Sequence, residues 1–226
     1  SIYSTPVFDA AEIGINLTFF EAWLGSLAYT MQLYFDFSGY SDMAIGLGRI
    51  FGIKLPVNFI SPYKSTNIIE FWKRWHVTLS RFLENYVFMS IIYSIKIKGK
   101  ILIYLSLLFT MTLAGLWHGA GWMFVFWGFI HGVAIVINRL WHLTSIKLPA
   151  VVAWFITFNF VNVAWIFFRA KEWDDAVKVL SGMFGGNGVE YSLNYIESAL
   201  IIIGIFVVLF CKNTMDLLEN EFNFNM

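Results

Sequence analysis

Charge is what this sequence has least of. Only 13% of its 226 residues are Asp, Glu, Lys or Arg, about half the share usual in a soluble domain, and the stretch from Ile101 to Ile137 has none. The 15 basic and 15 acidic residues cancel and form no long basic run, so the electrostatic footprint of a nucleic-acid binder is missing and that class is excluded. The single cysteine, Cys211, cannot close an intrachain disulfide and is expected to be a packing residue. No G-x-S-x-G nucleophile motif occurs, since Gly39-Tyr40-Ser41-Asp42-Met43 lacks the last glycine. No phosphate-binding G-x-x-x-x-G-K-[ST] loop occurs either. The first residue is Ser1, and the first apolar run has neither a basic n-region nor a small-residue cleavage site, which reads as a portion of a longer protein.

What is abundant is apolar and aromatic: 58% and 19% of the chain. Runs of about 17 to 20 residues, long enough to cross a bilayer, recur at Ile15–Phe35, Ile101–Trp117, Trp122–Asn138, Val151–Phe168 and Leu193–Cys211. Ten-residue alternating segments of the barrel type are missing. Backbone in lipid must satisfy its own hydrogen bonds, so the expected fold is all-α: a polytopic helical membrane protein of about five to six spans. Residues 1–226 form a single membrane domain, with the lipid bilayer as its first partner. Lys96, Lys98 and Lys100 precede the span at Ile101, and Arg139 and Lys147 follow the next, so the positive-inside rule places both positions on the cytoplasmic side. His118 then sits toward the opposite end, where Gly115, Gly119 and Gly121 permit a broken helix.

Two polar segments interrupt the pattern. Asp36-Phe37-Ser38-Gly39-Tyr40-Ser41-Asp42 predicts a tight, protein-buried turn, with Asp36 and Asp42 stapling it. After a connector holding Pro56, Pro62 and Lys64–Asn67, an N-cap at Thr66 or Asn67 and Glu70 in the first turn predict a helix from about Ile68. Its projection sets Glu70, Lys73, Arg74, Arg81 and Glu84 against Trp72, Trp75, Leu79, Phe82 and Tyr86. That is an amphipathic helix suited to the membrane interface, with His76 inside the apolar arc. A short surface helix is expected at Trp173–Phe184.

The chemistry rests with histidine. His118 lies in the charge-free stretch without an ionic partner, so it is buried as a neutral base able to take a proton, or else as a helix-to-helix hydrogen bonder. His131 shares a glycine-lined face with Gly128 and Gly132, which close packing explains. The two are separated by roughly 220° around a regular helix, which argues against a shared metal, and no metal centre is expected. His142, beside Trp141 at a span end, is assigned no chemistry.

Three stretches resemble the membrane-bound O-acyltransferase (MBOAT) superfamily, in its bacterial alginate O-acetylase-like branch. They are Leu33 to Gly46, Glu70-Phe71-Trp72-Lys73-Arg74-Trp75-His76-Val77-Thr78-Leu79-Ser80, and Gly115-Leu116-Trp117-His118-Gly119 with Trp127-Gly128 and His131-Gly132. The resemblance implies a C-terminal portion of that fold, in a bacterial inner membrane, with His118 as the active-site histidine and His76 as a second functional residue. It further implies acetyl-CoA or another acyl thioester as donor substrate, no bound cofactor, and a separate extracytoplasmic acetyltransferase as partner. Acetyl would pass to hydroxyls of a cell-surface polysaccharide, an alginate-like exopolysaccharide or peptidoglycan. Three alternatives stay open: D-alanyl transfer to teichoic acid, a proton-coupled transporter or flippase using the buried histidines as a relay, and a structural scaffold.

Overall fold

Apolar runs without charge fold as long helices that pack side by side. The computed structural model describes residues 4–95, 99–190, 195–214 and 216, beginning with α1 (Ser4–Glu12) and α2 (Phe19–Ile50). A single 3-10 turn at Pro62–Lys64 precedes α3 (Ile68–Arg74), α4 (Val77–Phe82), a π-helical stretch at Leu83–Phe88 and α5 (Met89–Ser94). Then come α6 (Lys100–His118), α7 (Trp122–Trp141), α8 (Ala150–Arg169), α9 (Trp173–Met183) and α10 (Tyr195–Phe210). Among the described residues the β pairing is confined to one isolated bridge, Phe59 to Trp75, as the all-α reading requires.

Of the expected spans, α6, α7 and α8 are long and apolar enough to cross a membrane, while α10 contributes a shorter apolar helix. Their outward residues, Phe109, Ile137 and Phe155 among them, are more than half exposed, the surface a lipid environment covers. Lys100 heads α6 and Arg139 ends α7 on the same side of their hairpin; Lys96 and Lys98 lie outside the described residues. The helix expected at Trp173–Phe184 is α9, which buries Ala176 and Val179 against α1 and α2. Cys211 departs from expectation: it is exposed just beyond α10, and its carbonyl accepts from Lys64 Nζ at 2.8 Å.

The polar segment at Asp36–Asp42 is not a turn. It runs inside α2, which continues without a break from the Thr18–Glu21 capping box to Ile50. Asp, Ser and Gly favour turns locally, but the segment contains no proline, and α2 gains from burying Tyr34, Ser41 and Ile45 on one face. Asp36 stays exposed, and Asp42 accepts instead from Thr214 Oγ1, beyond α10, at 2.6 Å.

α6 and α7 form a hairpin whose two backbones touch. A Cβ on Gly115 would collide with the Phe124 carbonyl, and one on Gly128 with the Met111 carbonyl. Gly132 packs on Leu108 in the same seam, so the Gly128-xxx-Gly132 spacing serves close packing as its pattern indicates. Replacing Gly128 by Val must separate the helices, at a cost of about 3 kcal/mol. A melting experiment in detergent should show a clear fall in transition temperature; an unchanged one would mean the seam opens freely.

The predicted amphipathic helix starts where expected, with Asn67 Oδ1 accepting from the Glu70 N–H at 2.8 Å and Arg74 paired with Glu70 at 2.8 Å. It does not run on to Tyr86. Ile60 N–H donates to the Arg74 carbonyl and Val77 N–H to the Asn58 carbonyl, so the connector captures Trp75 in the β-bridge and the helical ladder stops. Its apolar side is also covered by protein: Phe71, Trp72 and Trp75 are core residues, packed against α7 and α8. Tyr63 anchors the turn beneath them, its hydroxyl donating to the Thr30 carbonyl at 2.9 Å and accepting from Trp165 Nε1 at 3.2 Å. Thr30 Oγ1 in turn donates to Asn162 Oδ1 at 2.7 Å, tying α2 to α8.

Candidate active site

His118 is the last residue of α6, where Gly119 ends the helix. Its half-buried ring makes edge contacts with Trp117, Trp127 at 5.3 Å and Phe168 at 5.0 Å. Thus α6, α7 and α8 each contribute a wall, and among the described residues no hydrogen bond fixes either ring nitrogen. An imidazole held by ring contacts alone keeps both nitrogens available for a substrate.

His76 sits at the elbow between α3 and α4 in the left-handed region, φ 44° and ψ 57°. For a residue with a Cβ that conformation costs about 1–2 kcal/mol, and hydrogen bonds around Asn58 offset it. Asn58 Oδ1 accepts from the Thr78 N–H at 3.1 Å and from Thr78 Oγ1 at 2.7 Å, and His76 Nδ1 lies 3.3 Å from the same oxygen. Because the atom facing a backbone N–H must be an acceptor, the nitrogen that shares it must carry the proton. His76 is therefore assigned the Nδ1–H tautomer, with its lone pair on Nε2. Partial burial pushes its pKa below the ordinary histidine value, which keeps the ring neutral at neutral pH.

The fold brings the two histidines together. His76 and His118 lie within electrostatic reach of one another, although they arise from an elbow and a span end that are 42 positions apart in sequence. Phe37 of α2 stacks edge-on to His76 at 4.9 Å and closes that side. Sequence reasoning missed Asn58, whose only signal is an isolated amide in the connector between Pro56 and Pro62.

His131 stands apart from this pair. It is fully buried, 0% exposed, with Nδ1 accepting from Trp72 Nε1 at 3.3 Å and its ring caged by Trp127 and Phe160. Trp127 touches both His118 and His131 and is itself buried, so it separates the open imidazole from the sealed one. His142 follows α7, exposed. Among the described residues no group of three His, Cys, Asp or Glu side chains converges on a point that could hold a metal ion.

The family model described as MBOAT, membrane-bound O-acyltransferase family, matches residues 4–171. A peptidoglycan O-acetyltransferase of Helicobacter pylori is 51% identical over 186 residues, covering 80% of this chain and 34% of that protein. A probable alginate O-acetylase of Azotobacter vinelandii is 46% identical over 181 residues, with 79% and 36% covered. A teichoic acid D-alanyltransferase of Bacillus subtilis is 34% identical over 156 residues, with 63% and 40% covered. The chain thus spans about a third of the length of the first of these relatives.

Proposed function

We propose, for a chain that belongs to the membrane-bound O-acyltransferase family, that the His76–His118 pair transfers an acetyl group from an acyl thioester to a hydroxyl of a cell-surface polysaccharide. The observation that carries this is the pairing of an unanchored imidazole, His118, with a second, tautomer-fixed imidazole whose Nε2 lone pair is free. A neighbouring hydroxyl of the acceptor sugar donates to His76 Nε2, which positions the sugar, while the attacking hydroxyl donates to His118. His118 then removes the hydroxyl proton as that oxygen attacks the thioester carbonyl. Collapse of the tetrahedral intermediate breaks the carbon–sulfur bond, and the departing thiolate recovers the proton from the His118 imidazolium. Ester and thiol are the products. Because its Nδ1–H is occupied by Asn58, neutral His76 serves as an acceptor in this scheme and not as a donor to the thioester carbonyl.

Acetyl-CoA or another acyl thioester is the donor, the bacterial inner membrane the location, and a separate extracytoplasmic acetyltransferase the partner protein. Acetyl is favoured over D-alanyl because the acetylating relatives share 46–51% identity and the D-alanylating one 34%. Mild base applied to envelopes of cells with and without the full-length protein checks this. Acetate should be released in proportion to the protein; release of D-alanine instead would transfer the reading to teichoic acid.

A further inference from the structure

A cavity of about 500 Å³, lined by neither Phe37 nor His118, opens between α3, α4 and the α6–α7 hairpin. Among the described residues its lining carries the exposed cations Lys73, Arg81 and Arg139 against a single carboxylate, Glu84. None of the three cations forms an ion pair within 4.0 Å among the described residues, unlike Arg74, Arg169, Lys171 and Lys178. Its inner wall is apolar, made by Leu107, Met111 and Ile135 among others. Thr110, 5% exposed, also lines it, and its Oγ has no hydrogen-bond partner.

The order of these groups along the helices gives the cavity a direction. Arg139 stands at the end of α7 beside the start of α6, whereas Leu107 and Met111 lie about 10 to 16 Å further along α6 from Lys100. Positive charge therefore occupies the membrane surface and apolar wall runs inward, with one unpartnered hydroxyl at depth. That is the polarity of an amphiphile whose head is anionic. A nucleotide would require several buried polar partners for its base and sugar, and the wall supplies only Thr110 and Ser80 beyond the charged residues. Basic pockets between membrane helices suit lipid phosphates in this way.

We propose that this cavity is a binding site for one anionic phospholipid, its phosphate held by Lys73, Arg81 and Arg139 and an acyl chain lying along Leu107, Met111 and Ile135. Head contacts bind α4 to the end of α7, and the tail fills space beneath Trp72 and Val77, immediately behind the elbow that carries His76. The inference stands on the cavity alone and is independent of the acyl-transfer reading.

The full-length protein in phosphatidylcholine nanodiscs doped with phosphatidylglycerol tests it by native mass spectrometry. One phosphatidylglycerol should remain bound after detergent release, in preference to phosphatidylcholine. Lys73→Gln, Arg81→Gln and Arg139→Gln should each weaken that preference by about fivefold, and the triple variant should abolish it. These are changes of exposed side chains, so the variants should keep the wild-type melting profile once delipidated. Met111→Trp, which fills the inner wall, should expel the lipid while leaving the cations in place. Equal retention of both lipids, or the same phosphatidylglycerol preference in the triple variant, overturns the proposal. Displacement of the lipid by coenzyme A, lost with the same three cations, also overturns it and assigns the site to a soluble phosphate ligand.

Discussion

His118→Gln should lower polysaccharide O-acetylation by about 100- to 10,000-fold, the range that a lost general base commands. Glutamine keeps a polar side chain of similar reach but cannot take a proton at neutral pH. The ring contacts of His118 with Trp117, Trp127 and Phe168 are edge contacts at the end of a helix, so their loss should leave the protein folded and at its normal abundance. The measurement is ester content of the envelope normalised to membrane-inserted protein. Retained ester at normal protein level would falsify the role of His118, and a fall in protein level alone would show that the ring is structural.

Asn58→Leu should reduce turnover about 100-fold, the penalty for a catalytic group displaced by about 1 Å. One oxygen of Asn58 satisfies the Thr78 N–H and hydroxyl and fixes the tautomer of His76; leucine removes all three contacts while roughly keeping volume. Because the same change releases a strained left-handed residue, stability alone is a poor readout. Asn58→Asp separates the two effects. A carboxylate retains the acceptor geometry but favours the imidazolium, raising the His76 pKa. In the wild type, burial holds that pKa below its ordinary value, so the neutral ring adds stability that is fully present above the unfolded pKa, about 6.5, and is lost as pH falls through the folded value. Activity should follow the neutral form, with an acid limb below about pH 6.5. Asn58→Asp should move that limb to higher pH, and an unmoved profile would exclude any influence of Asn58 on His76.

The spans were legible because composition alone dictates them: a stretch such as Ile101–Ile137, without one charged residue, has few alternatives to buried helix. The Asn67 cap was legible because a side-chain acceptor three positions before Glu70 is a local device. The elbow at His76 was not, since a helical projection assumes the helical backbone it displays. What breaks it is the chain at Asn58–Ile60, whose pairing with Arg74–Val77 leaves no periodic trace in either segment. At Asp36–Asp42 the error ran the other way. Turn-forming residues predicted a turn, but tertiary burial of Tyr34 and Ile45 on both sides of them kept α2 whole. The two histidines could be named from their motifs, but the tautomer of one depended on an amide in a connector.

Backbone contact along the α6–α7 seam also constrains traffic. Gly115 abuts the Phe124 carbonyl one turn from His118, leaving that hairpin without an aperture at the height of the reacting ring. With that seam closed, the hairpin forms a back wall behind the His118 ring, and a substrate must approach the ring from another side.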